Sequence, residues 1–192
     1  GTASWTFTGG TNYNNQSGSA AIVIAKANAT VSVSGYTGVY NAAAHGATGT
    51  VVGVGSDLTA VGSSLNVGAS FTNAPGGTAS WTFTGGTNYN NQSGTAAIVI
   101  AQAGSTTVAT GDSFTYDGST QTGGSAVVSG AGIVTGSAVL SYSGDQINAG
   151  SYTVTATYAG DLNHTGSSDS ATITIAQAGS TTVATGDSFT YD

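Results

Sequence analysis

Apolar and polar residues alternate through the second half of the chain with the two-residue period of a β-strand. Tyr152, Val154, Ala156 and Tyr158 fall on one face, and Thr153, Thr155 and Thr157 fall on the other. The run that follows repeats the pattern, with Ala171, Ile173 and Ile175 set against Thr172 and Thr174. Earlier in the chain Ala79, Trp81 and Phe83, and then Ile98 and Ile100, do the same. Clusters of Gly, Asn, Asp and Ser separate these runs, as in Gly85-Gly86-Thr87-Asn88 and Tyr142-Ser143-Gly144-Asp145, and each reads as a turn. No segment carries a helical stripe. The longest apolar run, Ala96 to Ala101, fits a buried strand and is too short to span a bilayer. The pattern predicts an all-β chain of small antiparallel units with about six or seven strands each.

Internal repeats set the organisation. Residues 1–27 recur at 77–103 with only Ser19/Thr95 and Lys26/Gln102 changed, and residues 101–117 recur unchanged at 176–192. Two complete units follow, 28–103 and 104–178, flanked by the closing part of a unit at 1–27 and the opening part of another at 179–192. The complete units are distant relatives of one another. Val39-Tyr40-Asn41 aligns with Thr115-Tyr116-Asp117, and Ala97 to Ala103 aligns with Thr172 to Ala178. Half a unit leaves strand edges unpaired and an apolar face wet, so the expectation is a window cut from a longer array.

Composition narrows the function. Of 192 residues 31 are Gly, 5% are charged, the net charge is −7 and the only cation is Lys26. A chain without a basic face is a poor ligand for nucleic acid or an anionic membrane, and no membrane insertion is expected of this segment. With no Cys there is no disulfide framework, thiolate metal site or cysteine nucleophile. One Lys and one Pro, Pro75, are little protection for exposed strand edges, so association with copies of itself, laterally or by strand exchange, is expected.

The repeats also serve as internal controls on chemistry. A site needed by every unit should recur, yet His45 aligns with Gln121, His164 with Tyr89, and Lys26 with Gln102 and Gln177. A turn or surface role is therefore expected for both histidines, and no catalytic residue is assigned. For calcium the best local pair is Asp161 with Asn163, but Gly86 replaces the Asp in the first unit, and no metal or cofactor site is assigned. Gln102 and Gln177 read as linker residues, with an ester cross-link to Thr as the alternative. Asn15, Asn28, Asn91 and Asn163 stand in glycosylation sequons.

The segment from Gly150 to His164 (GSYTVTATYAGDLNH), closed by Ser170 to Ile175, resembles bacterial immunoglobulin-like repeats. The first unit, with Val39-Tyr40-Asn41, His45 and its closing Ile-Ala-Gln-Ala, resembles the MBG-type repeats of large bacterial surface proteins. The resemblance implies tandem Ig-like β-sandwiches in a linear array and a non-enzymatic extracellular role at the bacterial cell surface, as filament or adhesin stalk. The alternative is a binding module that recognises a glycan, another cell or an ice-like surface. Its ligand face would be Thr153, Thr155 and Thr157, matched in the first unit by Ser80, Thr82 and Thr84.

Overall fold

The computed structural model describes residues 1–192, which form fourteen β-strands and no helix. An antiparallel hairpin of β1 (Thr2–Phe7) and β2 (Gln16–Ala21) comes first. Residues 28–103 then supply β3 (Thr30–Ser34), β4 (Tyr36–Val39), β5 (Thr48–Val52), β6 (Ser64–Asn66), β7 (Gly76–Thr84) and β8 (Gln92–Ala101). Residues 104–178 supply β9 (Ser105–Thr110), β10 (Asp112–Thr115), β11 (Ser125–Gly130), β12 (Val139–Tyr142), β13 (Gly150–Gly160) and β14 (Thr165–Ala176). Both sets of six divide alike. β3 pairs with β5 and β9 with β11, while the remaining strands order β4-β8-β7-β6 and β10-β14-β13-β12.

The chain resolves into two compact units. One comprises Gly1–Tyr36, Gly46–Ser70 and Thr78–Ile98; the other comprises Thr37–His45, Phe71–Gly77 and Val99–Asp192. In the first, Ala29, Ala60, Phe83 and Tyr89 form a buried cluster covered by Val31, Val51, Leu65 and Trp81. In the second, Val154, Ala156 and Tyr158 of β13 and Ile173 and Ile175 of β14 are buried, and β9 packs against both strands. Most side chains here are small, so these few large ones carry the cores, at about 1.5–3 kcal/mol for each one fully buried.

The pairing departs from the all-antiparallel expectation in one strand ladder and in the isolated parallel bridges Ala27↔Tyr89 and Ala103↔His164. β10 runs parallel to β14, in the register Asp112↔Ile173 to Thr115↔Ala176. The chain does not turn back from β10 into a hairpin. It crosses instead to β11, which lies in the other sheet, and β10 is left along the edge of the last strand. Gly111 permits the approach, because a Cβ there would collide with the Thr172 carbonyl, and Gly35 stands in the same relation to the Ala97 carbonyl.

Identical sequence is buried in one copy and exposed in the other. Phe83 is 1% exposed and Phe7 48%; Tyr89 is 2% and Tyr13 72%; Ile100 is 1% and Ile24 90%. Residues 177–192 form no strand and are exposed, although residues 102–117 of the same sequence contain β9 and β10. Neighbouring strands, not local sequence, decide burial here.

Candidate functional site at the turn before the last strand

The turn from β13 to β14 holds the densest polar network in the second unit. Gly160 has a φ of 94°, a conformation that side chains resist, and it delivers Asp161, Asn163 and His164 into the turn. Asp161 Oδ1 accepts from the backbone N–H groups of Asn163 and His164, each at 2.8 Å, and lies 2.8 Å from His164 Nδ1. Asp161 Oδ2 accepts from the Thr135 N–H at 2.8 Å and the Thr135 hydroxyl at 3.1 Å. One carboxylate therefore ties the turn to the loop after β11. Tyr158 adds a bond from its hydroxyl to the Thr135 carbonyl at 3.0 Å.

His164 is buried completely. Its Nε2 faces the Ala131 carbonyl at 2.8 Å, and its Nδ1 faces the Asp161 carboxylate. Both ring nitrogens point at acceptors, an arrangement that the doubly protonated imidazolium satisfies and neither neutral tautomer does. Burial alone pulls the imidazolium pKa down, but the Ala131 carbonyl and the Asp161 carboxylate hold the proton and carry it above the ordinary value. The hydrogen bond from Thr135 leads those that keep Asp161 well below the usual carboxylate range. The edge of the Tyr40 ring meets His164 at a centroid distance of 5.4 Å.

Tyr89 fills the corresponding position of the first unit with different chemistry. Its hydroxyl donates to Asp57 Oδ2 at 2.5 Å and accepts from the Val54 N–H at 3.2 Å. The phenol lowers the Asp57 pKa, and Asp57 in turn raises that of Tyr89. Each unit thus closes its turn with a ring bonded to a carboxylate, but the acid sits within the turn in one and in the facing loop in the other. Alignment pairs His164 with Tyr89 and Asp161 with Gly86, so it hides this shared role. A Cβ on Gly53 would strike the Asp57 carbonyl and the Tyr89 hydroxyl, and one on Gly130 would strike the His164 ring.

The remaining residues singled out by sequence fall into turns and linkers. His45 Nε2 lies 2.9 Å from Asn41 Oδ1, and Gln121 Nε2 donates to Asp117 Oδ1 at 2.8 Å, which explains how His and Gln exchange at this position. Lys26 Nζ donates to the Gly86 carbonyl at 2.6 Å, and Gln102 Nε2 donates to the Asp161 carbonyl at 2.7 Å. Both linkers therefore clasp the same turn. Asn163 Oδ1 accepts from the Ala74 N–H at 3.0 Å, and Asn163 Nδ2 donates to Asn73 Oδ1 at 3.1 Å. Asn15 and Asn91 accept from the N–H groups of Gly9 and Gly85, each at 2.9 Å, and Asn28 accepts from Asn90 at 2.8 Å.

Asp161 and Asn163 do lie together, but hydrogen-bond donors fill the carboxylate. Nowhere do three or more His, Asp, Glu or Cys gather as a metal site would require. Thr153 and Thr157 are exposed and Thr155 is half-buried, opposite Thr172, Ser168 and Ser170 in the ladder. Thr155 and Ser170 share a hydrogen bond at 3.0 Å, and Ser80, Thr82 and Thr84 are exposed on β7. No helix is long and apolar enough to cross a membrane. No family model matches the chain, and no curated protein matches it significantly.

Proposed function

We propose that the chain is a non-enzymatic structural segment, a run of tandem Ig-like β-sandwich repeats serving as a filament or adhesin stalk on the outside of a bacterial cell. One observation carries the reading: each linker meets the following repeat through the same bonds. Ala27 N–H donates to the Asn88 carbonyl and the Ala27 carbonyl accepts from the Asn90 N–H, both at 2.9 Å. Ala103 does the same with Asn163 at 2.8 Å and Thr165 at 2.9 Å. Lys26 and Gln102 add the side-chain clasp already described. A junction that repeats in backbone terms, whatever its side chains, is what a tandem array of repeats requires. The ring–carboxylate pairs support the same reading, since each is spent on holding a loop.

Electron microscopy of the native material tests the proposal. Ordered fibres or beaded strings with a regular axial repeat support it, and isolated compact particles overturn it. Specific capture of the chain on a glycan array would instead favour recognition through the Thr153 and Thr157 face.

A further inference from the structure

We infer that His164 is a proton-operated latch. Protonated, it fastens the turn between β13 and β14 to the loop after β11 and so keeps Tyr40, Asn73 and Ala74 docked; loss of its proton releases them. All of these residues lie in the second compact unit.

Residues 161–165 receive contacts from several distant segments. Gln102 donates to the Asp161 carbonyl, and Ala103 is bonded to Asn163 on one side and Thr165 on the other. The side-chain amide of Asn163 takes the Ala74 N–H and donates to Asn73. Tyr40, only 7% exposed, meets the His164 ring edge-on. The loop after β11 closes over the same group. A Cβ on Gly130 would strike His164, and one on Gly132 would strike Ala42 and the Tyr40 hydroxyl. His164 thus touches the turn, the loop and Tyr40 at once.

The charged ring donates from Nδ1 to Asp161 and from Nε2 to the Ala131 carbonyl, both at 2.8 Å. Deprotonation leaves one N–H for two acceptors. The carboxylate, with its full charge, retains it, so Nε2 yields its proton to solvent and turns a lone pair on the Ala131 carbonyl. Two acceptors at that distance repel, and each is left without a donor in a completely buried site. The loop at Ala131 and Gly132 must then move, and the seat of Tyr40 moves with it. Burial favours the neutral ring, but the Ala131 carbonyl and Asp161 outweigh it, which places the release above the ordinary histidine value. The ionisable neighbours are few. Asp161 comes from the turn, Tyr158 from β13 through its bond to Thr135, and Tyr40 and His45 from Thr37–His45, where His45 faces Asn41. Residues 71–77, 101–104 and 131–138 hold no ionisable side chain. The equivalent turn of the first unit has no such competition, since the Tyr89 phenol offers one proton to one acceptor, Asp57.

Nitrogen-15 NMR of the whole chain between about pH 5 and about pH 9 tests the latch. The His164 ring nitrogens report the proton, and amide protection factors at Ala74, Ala103 and Thr165 report the docking. Protection at these three amides is expected to fall about two- to tenfold, the size of one hydrogen bond, with the midpoint of the ring titration. Nε2 rather than Nδ1 is expected to lose the proton. Ala27 and Asn90, which make the equivalent backbone bonds beside Tyr89, should stay level. H164Q, which removes the titrating group, should give a flat profile at Ala74. A His164 ring that keeps one protonation state over this range overturns the inference. So does a ring that titrates while Ala74 and Ala103 stay level, an equal loss of protection at Ala27 and Asn90, or a folded H164Q chain that retains the wild-type profile. The wild-type titration decides the matter even where H164Q fails to fold.

Discussion

Phe7 and Phe83 occupy the same place in the same local sequence, so truncating each in turn isolates what the surrounding strands contribute. Phe83 is 1% exposed and belongs to the cluster with Ala29, Ala60 and Tyr89, whereas Phe7 is 48% exposed. For F83A the lost transfer term is about 1.5–3 kcal/mol. The cavity left between β7 and its covering residues raises the total to about 3–5 kcal/mol. For F7A only about half the transfer term is at stake and no cavity forms, so the expected cost is about 0.7–1.5 kcal/mol. Native-state hydrogen exchange at the Ile98 and Ile100 amides, on dilute protein, reads the difference. F83A should accelerate exchange by roughly a hundred- to five-thousand-fold, which is the same free energy at about 1.4 kcal/mol per factor of ten. F7A should leave both amides within about twelvefold of wild type. Equal acceleration by the two substitutions would refute the claim that strand neighbours, rather than local sequence, decide burial in this protein.

The two ring–carboxylate pairs titrate in different ranges. Because the His164 pKa is raised in the folded state, its contribution is complete below about pH 6.5 and drains away as pH rises through the folded value. Asp161 is depressed, so its contribution is present above the ordinary carboxylate range and is lost as pH falls through the folded value. Exchange protection of the Asn163–Thr165 amides should accordingly be greatest on the acidic side of neutrality and decline in mild alkali, while that of Tyr89 stays level over the same range. D161N should lower the melting temperature and remove most of that alkaline decline, checked by thermal scans across pH. H45Q should change stability by less than about 0.5 kcal/mol in urea titration, because Gln121 makes the equivalent bond to Asp117.

Much of the fold was legible in the chain. The alternation around Val154 and Ile173 identified the buried faces, and the duplication of 1–27 at 77–103 marked β1 and β2 as counterparts of β7 and β8. Two features were not legible. Period-two patterning says which way side chains point but not which edge a strand joins, so the parallel approach of β10 to β14 could not be read from it. Alignment sets His164 against Tyr89 and so conceals the ring–carboxylate bond that both make. The compensating acid had moved from Asp161 to Asp57, on a different loop, and only the folded chain brings ring and carboxylate together. Equivalence in this protein lies in the bond that is made rather than in the column that is aligned.

In the proposed stalk, the parallel placement of β10 beside β14 would set how a repeat bears load. Tension along the chain enters ahead of β10 and leaves beyond β14, pulling two neighbouring parallel strands in opposite directions. The ladder from Asp112↔Ile173 to Thr115↔Ala176, extended by the Tyr116 bond, is then loaded along its length. Its bonds must give way together, whereas a hairpin pulled from its open end unzips one bond at a time. In a chain under tension, a sheet edge four residues long would be the shear pin of its repeat.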